Sequence, residues 1–253
     1  MTVSAGFGRA HTVEAGRAGV WRRWPEALAV AAALIWAALA YRVAHEGHFA
    51  VVANPDEPIW WNWTDQGRYY RAARAWGSFS LDPMQHWYFA GYPLLGAALY
   101  RLMPGQPFYV VDLACLVLFG LALAVLAQRL ADRARWAVAA GAATFVVTVV
   151  LTPFAMKSFV EPWTTTPTAV LSLGSLLLAF RLWDRPSAER AASLGLAAGS
   201  MVLFRPTDAI PLGVALAFWT GVALRRLGWR ELARVTGGGL VGVLVPLAVT
   251  AAS

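Results

Sequence analysis

Four charged residues from distant parts of the sequence are of the types that group-transfer chemistry requires. Asp65 and Glu161 are carboxylates, Lys157 lies four residues before Glu161, and Arg205 stands directly before a proline. A carboxylate can act as a general base that removes a proton from an acceptor hydroxyl. Cations can neutralise the negative charge that develops on a departing phosphate. If the fold brings these four side chains close together, they would suit the transfer of a group from a lipid-linked phosphate to an acceptor.

Each of these groups also has a purely structural explanation. A carboxylate at a helix N-terminus is stabilised by the helix dipole by about 0.3–1 kcal/mol, which alone would account for Asp65 or Glu161. Arg205 can extend from the end of a span to the polar interface. Asp208, shortly after it, is expected to cap a helix. The functional interpretation therefore depends on whether the fold gathers these side chains.

The elements that must position them are membrane-spanning helices. Hydrophobic residues make up 58% of the chain and charged residues only 14%, whereas a soluble domain carries roughly a quarter charged residues. The apolar residues fall in blocks near the ~20 residues that a helix needs to cross a ~30 Å bilayer core. We therefore predict an all-α, polytopic helix bundle over residues 26–253 with about seven spans, near 26–44, 107–127, 136–155, 162–181, 191–204, 208–224 and 232–251.

The basic residues predict the orientation of these spans. Two thirds of the 21 lysines and arginines lie in the N-terminal tail (1–25) and in three short loops that alternate to the same side, 128–135, 181–190 and 225–234. Loops rich in lysine and arginine stay in the cytoplasm. We predict a multi-pass protein of the plasma (inner) membrane with a cytoplasmic N-terminus. This topology explains the formal charge of +7 without a nucleic-acid partner.

The outer side is predicted to carry one long loop, 45–106, and two short loops that bear Lys157 with Glu161, and Arg205. Two interfacial helices fit within the long loop, over residues 65–76 and about 92–103. In the first, Tyr69 shares a face with other apolar residues while Arg68 lies on another face. We expect both helices to lie in the outer interface, with aromatic side chains dipped into the membrane and arginines at headgroup level.

Four short motifs resemble those of one family of membrane enzymes. Residues 65–73, Asp-Gln-Gly-Arg-Tyr-Tyr-Arg-Ala-Ala, resemble the first outer-loop motif of the GT-C superfamily of glycosyltransferases, which includes the protein O-mannosyltransferases and the lipid A aminoarabinose transferase. Residues 88–95, 159–162 and 204–207 are similar to later motifs of that family, in the same order. One departure is Ala90-Gly91, where many relatives carry a lysine.

This resemblance implies a transferase that moves a sugar from a polyprenyl-phosphate donor to a lipid, protein or polysaccharide acceptor on the outer face, with inversion at the sugar. Asp65 would be the catalytic base. Glu161 would assist it or help Asp65 to hold a divalent metal ion, as in some relatives. Contacts to phosphate or substrate would come from Lys157, Arg205, Arg68 and Tyr69.

The alternative is a noncatalytic polytopic protein, such as a transporter component or an assembly partner, in which the outer carboxylates are only helix caps. A transporter commonly buries ionisable groups near the midplane of the membrane, whereas the span centres here are nearly free of charge. Relatives in the resembled family commonly have ten or more spans. The chain is therefore expected to be either a fragment of a longer transferase or a short form of one.

Overall fold

The computed structural model describes residues 24–49, 64–80, 82–86, 88–131, 134, 136–225 and 227–252. Over these residues the chain is helical and contains no strand, as the apolar blocks predict. Nearly all of the predicted N-terminal tail lies outside the described residues. The helices are α1 (Trp24–Phe49), α2 (Thr64–Gly77), α3 (Gly91–Tyr100), α4 (Tyr109–Leu130), α5 (Ala137–Phe145), α6 (Pro153–Val160), α7 (Thr165–Asp184), α8 (Ala188–Phe204), α9 (Pro206–Leu224) and α10 (Trp229–Ala252).

Among the described residues, four helices are long and apolar enough to cross a bilayer, namely α1, α4, α7 and α10. The pair α5 and α6 makes a fifth candidate if it is one bent span. The predicted spans near 191–204 and 208–224 correspond to α8 and α9, which are not among these candidates. Helix α8 has 17 residues, or ~25 Å at ~1.5 Å per residue, which is short of the ~30 Å bilayer core. The predicted count of seven spans is therefore not confirmed, whereas an all-helical chain with several candidate spans is.

A break inside the predicted third span separates α5 from α6. A π-helical turn, Val146–Val150, follows α5, and the proline at position 153 begins α6. A π-turn and a proline each interrupt the regular hydrogen-bond ladder of a helix. The two helices are consequently bent by 81° relative to each other. Lys157, expected in a short loop, instead lies on α6.

Contacts at the helix ends show which ends lie together. The Tyr41 hydroxyl of α1 donates a hydrogen bond to the carbonyl of Tyr109 at the start of α4, at 3.1 Å. The guanidinium of Arg129, in the last turn of α4, pairs with Asp184 at the end of α7. The starts of α4 and α7 therefore lie at one end of the bundle and their last turns at the other.

Helices α2 and α3 pack on each other, and this buries the aromatic face that was expected to dip into the membrane. Tyr69 and Tyr70 of α2 and Tyr92 of α3 form one buried cluster with Phe108. The expectation was wrong because an amphipathic pattern shows that a face will be covered without showing by what. The arginines at 71 and 74 are exposed on the other side of the helix.

Candidate functional site

Asp65 lies in the first turn of α2 and is held there by a tyrosine. Its Oδ1 atom accepts a hydrogen bond from the hydroxyl of Tyr88, which precedes α3. The guanidinium of Arg68, one turn along α2, lies 5.9 Å from the centre of the Tyr88 ring, within reach of a cation–π interaction. Burial and the hydrogen bond with Asp65 raise the pKa of Tyr88, and Arg68 opposes them. Tyr88 therefore stays a neutral phenol between the acid and the cation.

Tyr69 connects this acid to the membrane helices. Burial is the largest cause that raises the pKa of its hydroxyl above the ordinary value. A side-chain hydrogen bond with Thr164 lowers that pKa, the charge of Asp65 raises it, and the charge of Arg205 lowers it. Three parts of the chain therefore influence the Tyr69 hydroxyl. These are Thr164 before α7, Asp65 in the first turn of α2, and Arg205 between α8 and α9.

Arg205 occupies a sharp junction between α8 and α9. Its backbone is extended (φ −157°, ψ 92°), and the proline that follows suits the first position of a helix. The Nε atom of Arg205 lies 3.4 Å from Oδ1 of Asp208. The other oxygen of Asp208 lies 3.3 Å from the hydroxyl of Thr168 on α7. Asp208 was expected only to cap α9, but it also links Arg205 to α7. The i, i+3 spacing of Arg205 and Asp208 is a sequence signal that could have revealed their ion pair, but not the contact with Thr168.

Glu161 is placed differently from the sequence expectation. It was expected at the start of a span, where the helix dipole would favour it, but it follows the last residue of α6 and precedes α7 by four residues. A carboxylate at a helix C-terminus faces the unfavourable end of the dipole. Lys157 compensates, with its Nζ 3.3 Å from one carboxylate oxygen, and the indole of Trp163 donates to the other at 3.3 Å.

A second carboxylate, which is buried, is hydrogen-bonded to the aromatic cluster of Tyr69, Tyr92 and Phe108. Asp112, in the first turn of α4, is 1% exposed, and its two oxygens lie 2.9 and 2.8 Å from the hydroxyl of Tyr92. The Tyr92 ring stacks on Phe108 with ring centres 4.3 Å apart and meets the Tyr69 ring edge-on at 5.4 Å. Tyr69 in turn lies against Tyr88. A continuous set of aromatic contacts therefore connects α4 to the residue that holds Asp65.

The departure at Ala90-Gly91 from the resembled family has a structural cause. A Cβ atom on Gly91 would lie 2.7 Å from the backbone oxygen of Leu203, near the end of α8, and no real side chain tolerates that distance. The start of α3 is thereby held against the end of α8, two residues before Arg205. Any larger residue at 91 would separate these two elements.

The sequence-predicted residues divide into two groups. The charges of Asp65 and Arg205 both act on the hydroxyl of Tyr69, and Asp65 and Arg68 both act on the hydroxyl of Tyr88. Lys157 and Glu161 form their own pair on the segment that leads into α7. In the part of the chain that the structure describes, no three residues among His, Cys, Asp and Glu are grouped as metal ligands. Asp65 and Glu161 are thus not accompanied there by a third such ligand.

Comparison with known proteins adds no relative. No protein-family model matches the chain, and no curated protein or solved structure matches it. What the fold establishes is an all-helical chain with four or five candidate spans, which is consistent with a membrane protein. At one end of its bundle the charges of one carboxylate and two arginines act on the hydroxyls of two tyrosines.

Proposed function

We propose that this chain is a membrane glycosyltransferase of the GT-C type, which transfers a sugar from a polyprenyl-phosphate donor to an acceptor hydroxyl. The observation that carries the proposal is that Asp65 and Arg205, 140 positions apart in the sequence, both act on the hydroxyl of Tyr69. A base and a phosphate-binding cation must stand on either side of one reacting centre in such a transfer.

Each group has a role in a single displacement. Asp65 takes the proton of the acceptor hydroxyl while that oxygen attacks the anomeric carbon of the sugar. The bond from this carbon to the phosphate oxygen breaks, and its electron pair leaves with the lipid phosphate. Arg205 neutralises that phosphate. Tyr69 has a raised pKa and remains a phenol, so it can donate a hydrogen bond to a phosphate oxygen. Attack opposite the leaving group inverts the anomeric centre.

A groove along the first span supports a lipid-linked donor. It has a volume of about 730 Å³ and runs between α1 and the bend of α5 and α6. Apolar side chains line it, and Lys157 is the only charged residue among those described that do so. A hydrocarbon chain would fit the apolar walls, and an ammonium group at the wall suits a lipid phosphate. The helix that carries Lys157 leads directly to Glu161 and then to Thr164 beside Tyr69.

Transfer by the reconstituted full chain tests the proposal. Proteoliposomes would be incubated with a panel of radiolabelled polyprenyl-phosphate sugars, and transfer to lipid, protein and polysaccharide fractions would be counted. Asp65→Asn keeps the shape of the side chain and should lower the rate by about 10²–10⁴-fold, the usual contribution of a general base. Asp82→Asn is the matched control, because Asp82 is an exposed carboxylate near α3 whose contacts are with its own turn. It should retain the wild-type rate.

The noncatalytic alternative makes a different prediction for the same variants. If Asp65 only interacts with the dipole of α2, Asp65→Asn costs about 0.3–1 kcal/mol of stability and has no effect on any transfer. Folded Asp65→Asn protein that transfers sugar as fast as the wild type would overturn the assignment of the base. Arg205→Gln should lower the rate more than Arg101→Gln, since Arg101 lies on the exposed side of the α3 end and contacts Gly77 and Phe79.

A further inference from the structure

A second cavity lies at the other end of the bundle, between the last turns of α4 and α7. Its volume is about 200 Å³. Its lining is aliphatic on the side nearer the middle of the two helices, with Val125 and Leu177, and polar toward their ends, with Gln128, Arg129, Arg181 and Asp184. Helix α7 has 20 residues and is thus ~30 Å long. The cavity is therefore about one membrane thickness away from Thr164 and the carboxylate site.

Two guanidinium groups and one carboxylate determine the charge of this cavity. Arg129 pairs with Asp184 at 2.5 Å and lies over the Phe180 ring at 5.5 Å. The side chain of Arg181 is exposed and has no ion pair or hydrogen bond to another described residue. Among the described residues, one positive charge of this cavity is therefore unmatched by a carboxylate.

A third arginine compensates the end of α7. The Nη1 atom of Arg190 donates to the carbonyl oxygens of Arg181 and Arg185, at 3.2 and 2.9 Å. These carbonyls carry the partial negative charge of the helix C-terminus. Because Arg190 neutralises it, the end of α7 does not oppose an anion beside Arg181.

We infer that this cavity binds the headgroup phosphate of an anionic glycerophospholipid in the leaflet at this end of the bundle. The last turns of spans lie at the level of lipid phosphates, and basic cavities between spans on the cytoplasmic side bind anionic headgroups. A guanidinium and a neighbouring amide, here Arg181 and Gln128, can share the oxygens of one phosphate. The aliphatic side of the cavity accepts the first part of an acyl chain. A soluble anion would leave that side uncovered.

The size of the cavity agrees with a headgroup rather than a whole small-molecule ligand. Sites for drug-sized molecules usually measure about 300–1,000 Å³, and this one measures about 200 Å³. The positive-inside pattern places it in the cytoplasmic leaflet. The transferase proposal concerns the opposite end of the bundle, so failure of either proposal leaves the other intact.

Binding of defined lipids to the purified full chain tests the inference. Native mass spectrometry in detergent would measure the affinity for phosphatidylglycerol, for phosphatidylcholine with the same acyl chains, and for inorganic phosphate. We expect phosphatidylglycerol to bind best and Arg181→Gln to weaken its binding by about tenfold, as for loss of one charge-assisted contact. Arg181 is exposed, so this substitution should leave the fold intact.

Arg234→Gln is the matched control. Arg234 is also an exposed arginine, on α10 and outside the lining of the cavity, and its removal changes the net charge equally. It should bind phosphatidylglycerol as the wild type does. Equal binding of the two lipids, equal loss in both arginine variants, or inorganic phosphate binding as tightly as the lipid would each overturn the inference.

Discussion

The buried pair of Tyr92 and Asp112 should show a large energetic coupling. Both side chains are essentially inaccessible, at 0 and 1% exposure, and the tyrosine hydroxyl lies 2.9 and 2.8 Å from the two carboxylate oxygens. Tyr92→Phe keeps the ring that stacks on Phe108 but removes the hydroxyl. The carboxyl group then loses a buried hydrogen-bond partner, and we expect a cost of about 1–3 kcal/mol in the free energy of unfolding.

The double variant distinguishes this hydrogen bond from simple packing. Asp112→Leu alone leaves the Tyr92 hydroxyl buried without its acceptor, which should cost a similar amount. When both polar groups are replaced, neither is left unsatisfied, and an apolar pair of similar shape is nearly neutral. The cost of the double variant should therefore be smaller than the sum of the single costs by about 0.5–3 kcal/mol.

Equilibrium unfolding in mixed micelles, with a denaturing detergent as the variable, would measure all four corners of this cycle. Tyr100→Phe is the control, because Tyr100 is also on α3 but is only partly buried, and its ring packs on Tyr70. It should change the free energy of unfolding by less than about 0.5 kcal/mol. If the cost of the double variant equals the sum of the two single costs to within about 0.3–0.5 kcal/mol, the hydrogen bond contributes nothing specific.

Two further predictions concern helix packing and ionisation. Gly242→Ala places a Cβ atom 2.1 Å from the backbone oxygen of Ala192 and should cost about 1–3 kcal/mol in unfolding experiments, as overpacking does. Gly237→Ala, on the same helix with nothing within 4 Å, should instead stabilise by about 0.5–1 kcal/mol, and equal effects of the two would contradict the packing of α8 on α10. Because the pKa of Tyr69 is raised above that of an unfolded tyrosine, its contribution to stability is present below pH ~10 and is lost as pH rises above it. The difference between the ultraviolet titrations of the wild type and of Tyr69→Phe isolates this residue among the seven tyrosines; it should show a phenolate step well above pH ~10, and a difference step at pH ~10 would refute the burial argument.

The sequence predicted the elements that depend on local pattern. The first interfacial helix was expected at 65–76 and extends over Thr64–Gly77, because an apolar face with helical spacing identifies such a helix. The first span, expected at 26–44, lies within α1 for the same kind of reason. A long apolar run in this composition has few alternatives to a helix.

Features that depend on packing were not predictable in this way. The apolar block near 136–155 reads as one straight span, and only the proline at 153 gave a sign that the chain breaks there and places Lys157 on a separate helix. The link between Asp208 and Thr168 joins residues 40 positions apart. Such a pair becomes visible only once α7 and α9 are side by side, since no periodicity connects them.

The surroundings of Asp65 and Glu161 make Asp65 the better candidate for a general base. Glu161 stands at the unfavourable end of a helix dipole and has an ammonium group 3.3 Å away, so its charge is already matched by Lys157. Asp65 stands at the favourable end of α2, and its hydrogen bond comes from the neutral hydroxyl of Tyr88. Among the described residues only Oδ1 of Asp65 accepts a side-chain hydrogen bond, which leaves the second oxygen for the proton of an acceptor, whereas both oxygens of Glu161 are engaged by an ammonium and an indole. The same contrast assigns Glu161 a structural part, which is to fix α6 and its lysine beside the start of α7.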